Sequence, residues 1–288
     1  MEPFFRPFLS HQTFMDFDLN QIAVPFRMQP GLRRVSADGP HLTPLAPGSA
    51  MHAEKLRVME MQQSRHAVPG FDAAPALATI AAHASFTQQS QSLELAFEED
   101  FAVLDGTTGT IPWLCVSLPS HWAPEDKLGL SLAEIHAPVA DNAALLAASA
   151  ELVNLVTQGG YWERHVWTFT PSPHYDQHPG RHRRTAWSDT NDIDAFAALC
   201  NLRVERQAFL PVSDAQGTPL RQAVFTIRVM LEPLAEAVRT ADDALRLHDA
   251  LASMSDAVLE YKNLLPARAK LLQWLTHRAG NAGTIPQS

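Results

Sequence analysis

His136 ends a short apolar stretch, Leu132-Ala133-Glu134-Ile135-His136, and Pro138 follows it closely. Proline cannot continue a helix, so any helix here stops just past the histidine. Ser131 and Glu134 have capping-box spacing, which predicts a short helix opening at Ser131 and carrying His136 in its last turn. A neutral imidazole held rigidly among apolar neighbours is a common metal ligand, and heme iron often takes one proximal histidine. The alternative is a structural histidine bonded to a nearby carbonyl. His121 and His165 are less well placed for ligation.

Other residues could hold charged groups. Arg181, Arg183 and Arg184 crowd one loop and could pair with ligand carboxylates such as heme propionates; an ordinary solvated basic loop is the alternative. Arg203, Glu205 and Gln207 alternate along an expected strand and so share a face, with Arg206 opposite and Arg228 on the expected partner strand. A carboxylate on such a face could hold a cationic amine, or it could serve a cross-strand ion pair. His174, His178 and His182 have helical spacing, but Pro179 and Gly180 disfavour a helix, leaving a solvated loop or a zinc site without the usual motifs. Ser120 beside His121 lacks a nucleophile elbow and carries little chemistry by itself.

These residues need elements to position them. Residues 1–50, rich in Pro, Gly and Phe, read as an extended N-terminal arm with turns at Pro30-Gly31 and Gly39-Pro40. Helices are expected around 51–63 and 76–84. Sheet is expected from Leu93, where LELAFEEDFAVLD and TIPWLCVSLP flank a turn at 106–109. Asp141 or Asn142 caps an amphipathic helix that places Leu145, Leu146, Leu152, Val153 and Val156 on one face and ends at Gly159-Gly160. A strand over YWERHVWTFT follows, then the loop at 171–190 and a short helix near 191–200. LRVERQAFLPV and RQAVFTIRVMLEPL form a second hairpin turning near 214–217. Thr240 and Asp243 predict a cap for a helix to about 260, and Asn263 a cap for another to about 277, leaving 279–288 as a flexible tail. Hairpins with inserted and appended helices predict an antiparallel α+β fold, with one large domain over 51–278.

The bulk composition excludes several classes. The 288 residues are 46% hydrophobic, enough for a full core, and carry a net charge of −9. That charge argues against nucleic acid, which needs a basic face; it suits solubility or a basic protein partner. Two cysteines, Cys115 and Cys200, are too few for a disulfide framework or a four-cysteine cluster and read as small core residues. There is no CxxCH, GxGxxG or Walker motif, no signal-peptide pattern and no apolar run of membrane-spanning length, so a cytoplasmic, membrane-free protein is expected.

Several segments together resemble the heme-binding subunit of heme-dependent oxidative N-demethylases. They are FRMQPGLRRV (26–35), EEDFAVL (98–104), LPSHWAPEDKLGLSLAEIHAPV (118–139), LRVERQ (202–207) and FTIRVMLEPL (225–234), in the family's order. The resemblance implies a PAS-like sheet that binds heme b and an oxygen-using demethylation of a small secondary amine. It implies electrons from NADPH through separate flavin and iron–sulfur components, reductase or ferredoxin-like subunits, which fits a chain with no nucleotide loop and few cysteines. It implies His136 as proximal ligand and Glu205, Arg206 and Arg228 as pocket residues. The segment Arg164-His165-Val166-Trp167 keeps the family's Arg and Trp but has Val166 where the pattern has Asn, which implies that substrate identity could differ.

Overall fold

The longest strands are buried or half-buried along nearly their whole length, as a sheet covered on both faces requires. The computed structural model describes residues 16–28, 31–83 and 92–280. Among these, strands β1 (Arg33–Val35), β2 (Arg65–Ala67), β3 (Glu99–Asp105), β4 (Trp113–Cys115), β5 (Tyr161–Thr170), β6 (Asn201–Ser213) and β7 (Pro219–Pro233) form one sheet. Its order is β1-β5-β6-β7-β3-β4-β2, and every pairing is antiparallel. The helices are α1 (Ala50–Glu60), α2 (Ala74–Ala82), α3 (Leu93–Ala96), α4 (Leu132–His136), α5 (Ala143–Ala147) and α6 (Ser149–Thr157). After β5 come α7 (Ile193–Ala197), α8 (Leu234–Ala237), α9 (Ala241–Ala252), α10 (Asp256–Tyr261) and α11 (Arg268–Gly280). The fold is the expected antiparallel α+β.

Register assigns the faces. Arg164, Val166 and Thr168 of β5 lie opposite Gln207, Glu205 and Arg203 of β6, and Glu205 lies opposite Val229 of β7. These side chains share one face, together with Phe209, Phe225, Ala102 and Leu114; α6 covers part of it through Val153 and Val156. The opposite face carries Phe101, Val103, Leu210 and Val224 under α2. Towards the other end of the strands, Leu202, Val204 and Met230 pack under the C-terminal helices. Helix α9 buries Leu247 and Leu251 completely there. Each such leucine contributes about 1.5–3 kcal/mol of burial.

Some expected boundaries move. Leu93–Ala96 is a helical turn, with Glu94 buried against Ser64 and Arg65, and the strand starts at Glu99. The amphipathic helix after Asn142 is broken at Ala148; Asn142 makes no cap bond forward and instead donates backwards to the carbonyls of His136 and Ala137. Thr240 and Asp243 do form a capping box, but α9 stops at Ala252 because Ser255 caps a new helix through Val258 N. Asn263 has left-handed φ (56°) and caps nothing, so α11 begins only at Arg268. The described part of the N-terminal segment joins the core: β1 extends the sheet, and Leu19, Ile22, Leu42 and Leu45 are buried. Pro30 of one expected turn and residues 281–288 of the expected tail lie outside the described residues. No helix among the described residues is long and apolar enough to cross a membrane.

Candidate functional site

A cavity of about 580 Å³ opens on the face that carries Arg203, Glu205 and Gln207. Its wall is mostly apolar, with aromatic side chains such as Trp122, Trp187 and Phe225, and a small set of polar groups converges on it, as in small-molecule and cofactor sites.

His136 lies on this wall at the end of α4. The helix starts where expected: Ser131 Oγ accepts from Glu134 N, and Glu134 Oε2 accepts from Ser131 N at 2.8 Å. His136 Nδ1 is 2.8 Å from Leu132 O. A carbonyl only accepts, so Nδ1 carries the proton and Nε2 keeps its lone pair. Nε2 has no hydrogen-bond partner among the described residues. Burial lowers the pKa of the ring; the Leu132 bond works the other way, and Arg164 and Lys127 lower it further. A neutral imidazole with one nitrogen tied to a carbonyl and the other directed elsewhere is a donor that a heme iron can take. Lys127 and Arg184, also on the wall, suit anionic groups such as propionates.

The floor of the cavity is a bracketed carboxylate. Ser120 Oγ donates to Glu205 Oε1, and Gln207 Nε2 donates to Glu205 Oε2 at 2.7 Å. Behind Ser120 stands Arg203, whose Nε donates to Ser120 Oγ at 2.8 Å. Behind Gln207 stands Arg164, whose Nε donates to Gln207 Oε1 at 2.7 Å. Arginine has only donors, so the Gln207 amide is fixed with its NH2 towards Glu205. Burial lowers the pKa of both guanidinium groups, and Glu205 works against that shift. Glu205 forms no ion pair among the described residues. Val166 and Val229 flank it across the two neighbouring strands.

Ser120, His121 and Trp122 all line the cavity although they are consecutive. An extended chain would turn alternate side chains away; here His121 has left-handed φ (61°), which directs all three inward. The segment is pinned from behind. Leu118 N donates to Asp100 Oδ2 at 2.7 Å, and Asp100 in turn pairs with the fully buried Lys55. Arg203 Nη2 reaches Leu118 O and Gln177 N reaches Pro119 O. His121 is solvent-exposed on the cavity wall, yet the protein around it, with Arg184 and Arg203, lowers its pKa to about 4. Lys262 is a further cavity cation: Nζ donates to Trp167 O at 2.9 Å, and burial lowers its pKa to about 8 against the pull of Glu205.

Of the residues singled out in the sequence, Ser120, His121, His136, Arg184, Arg203, Glu205 and Gln207 line this cavity. Four expected site arginines do not. Arg206 points to the opposite face and pairs with Glu163 at 2.6 Å; Arg228 points there too and pairs with Glu98 at 2.7 Å. The strand alternation that brings Glu205 inward turns Arg206 outward, and Arg228 is its direct partner in the register. Arg181 is consumed by Asp176 at 2.8 Å and by Ser117 O, and Arg183 is exposed away from the wall. His165 packs against Phe17 on the far side of β5, with the two rings tilted at 39°. His174, His178 and His182 sit in a loop beside Glu54, Glu125 and Asp176, and no metal-binding cluster occurs among the described residues. Cys115 and Cys200 are buried and unpaired, as expected.

Sequence reasoning gave Ser120 little weight, named Arg164 only within the family's pattern, and singled out neither Lys127 nor Lys262. Gln207 and Arg203 were legible as sharing the face of Glu205, but their roles depend on the first two. A family model described as "Haem-dependent oxidative N-demethylase, alpha subunit-like" matches residues 79–272, more than half of the chain.

Proposed function

This chain belongs to the heme-dependent oxidative N-demethylase, alpha subunit-like family, and from that premise we propose that it binds heme b in the cavity and removes a methyl group from a small secondary amine. The reaction converts R–NH–CH3, O2, two protons and two electrons into R–NH2, formaldehyde and water. The electrons come from NADPH through separate flavin and iron–sulfur subunits. The heme-binding unit is the α+β domain over 51–278 together with the described N-terminal residues that extend its sheet.

The observation that carries this reading is one cavity holding both a lone-pair nitrogen on His136 and a carboxylate, Glu205, without an ion-pair partner. His136 Nε2, oriented by Leu132 O, would hold the iron, and Lys127 and Arg184 would hold the propionates. When bound, heme supplies the redox chemistry with oxygen. Glu205 holds the substrate ammonium through the lone pairs that Ser120 and Gln207 leave open. Val166, Phe225 and Ile227 enclose its N-methyl group and exclude water, so an ordinary exposed ion pair, worth little in water, gains strength here.

The test is the ultraviolet–visible spectrum of protein purified with heme supply, beside His136→Ala, followed by amine-dependent NADPH consumption with reductase components. A Soret band lost or shifted in the variant, and formaldehyde released in proportion to NADPH, are expected. No Soret band in either protein after heme titration overturns the reading. Heme binding without amine-dependent consumption leaves a heme-binding sensor in its place.

A further inference from the structure

Six arginines of this protein meet carboxylates directly. Arg33, Arg65, Arg181, Arg206, Arg228 and Arg239 each do so, at 2.6 to 3.2 Å. Arg203 is different. It is almost fully buried, only one strand position pair away from Glu205, and its Nε stops at the hydroxyl of Ser120. Its other nitrogens are tied to the carbonyls of His174 and Leu118. Since Ser120 Oγ accepts a hydrogen bond from Arg203 Nε, its own O–H is directed to Glu205 Oε1. Gln207 stands in the same relation between Arg164 and Oε2.

A guanidinium seated directly on Glu205 would form the strongest pairing available to that carboxylate and would compete with any ammonium. A neutral hydroxyl in between satisfies both groups and leaves lone pairs of the carboxylate facing the cavity. We propose that Ser120 is a positioning residue that reserves Glu205 for a cationic ligand by holding Arg203 one hydroxyl away from the carboxylate. The proposal rests on the reading of Glu205 as the amine-binding group. It gives the Ser-His-Trp segment a role that needs neither a nucleophile nor a general base.

The test compares Ser120→Thr with Ser120→Val, which have nearly the same shape and differ in the hydroxyl. Dimethylammonium chloride is titrated calorimetrically into the heme-loaded wild type, both variants and Glu205→Gln, with the Soret band and melting curve recorded for each. The expected result is near-wild-type affinity in Ser120→Thr and affinity weaker by about tenfold or more in Ser120→Val, the loss of a charge-assisted contact. Heme affinity should be the same in both. If Ser120→Val fails to fold, Ser120→Ala is read in its place with the same expectation. Equal affinity in the hydroxyl-bearing and hydroxyl-free variants overturns the proposal while leaving the amine reading intact. Equal affinity in wild type and Glu205→Gln overturns the amine reading of Glu205, and the proposal with it.

Discussion

At the scale of single residues, the cavity is unusual in its buried cations, and Lys262 gives the most direct handle on them. Its amine donates to Trp167 O and lies 5.6 Å from the centre of the Phe26 ring. Burial lowers its pKa from the ordinary 10.5 to about 8. The sign follows from linkage: below pH 8 the folded protein bears the full cost of a charged, desolvated amine. That cost disappears as pH rises from 8 towards 10.5, where the unfolded chain still binds the proton. Wild-type stability should therefore gain on Lys262→Met by about 3 kcal/mol between pH 7 and pH 10.5. Urea unfolding at a series of pH values checks this, and a difference that stays flat with pH would mean the amine is solvated in the folded state. Neither Lys262 nor Ser120 was legible as a site residue. Ser120 meets Glu205 across 85 positions and Lys262 meets Trp167 across 95, and no local spacing encodes such meetings. His136 was legible because cap, helix and proline all lie within eight residues of one another.

At the scale of elements, α4 is a five-residue helix that depends on both its ends to hold His136 still. Helices this short are unstable alone, so the Ser131–Glu134 box at the start and the Asn142 amide on the carbonyls of His136 and Ala137 do most of the fixing. Losing an N-cap costs about 1 kcal/mol. Ser131→Ala and Asn142→Ala should each weaken heme affinity by roughly fivefold, the equivalent of that loss, without removing the Soret band. Heme titration followed at the Soret maximum measures it; unchanged affinity in both variants would show that α4 is held by packing alone. The sequence announced this helix, and it announced β5, β6 and β7, because alternation over ten or more residues leaves little choice of register. It misjudged Leu93–Ala96, where a buried Glu94 paired with Arg65 at 2.7 Å outweighs the β-like apolar pattern. It misjudged Asn263 as well, whose left-handed backbone ends one helix rather than starting the next.

At the scale of the whole molecule, one sheet separates two uses of charge. On the cavity face, arginine reaches Glu205 only through Ser120 and Gln207, so the carboxylate keeps capacity for a ligand. On the opposite face, Glu163 sits between Arg33 and Arg206 at 2.6 Å each, and Glu98 holds Arg228 at 2.7 Å. Those charges are spent on one another: they join β1 to β5 and β6, and β7 to the segment entering β3. The alternation in Arg203, Glu205 and Gln207 made the cavity face readable, whereas the resemblance alone drew Arg206 and Arg228 into the site. The division predicts opposite outcomes for residues adjacent in sequence. Arg206→Leu leaves the buried Glu163 with Arg33 as its remaining partner, and Arg228→Leu takes from Glu98 its ion pair; each should cost about 1–3 kcal/mol of stability. Their Soret band and dimethylammonium affinity should match the wild type. Glu205→Gln should melt close to the wild-type temperature and lose the amine. Calorimetric melting and amine titration of the three variants decide it: an amine-binding defect in Arg206→Leu at unchanged stability would put that arginine back in the site.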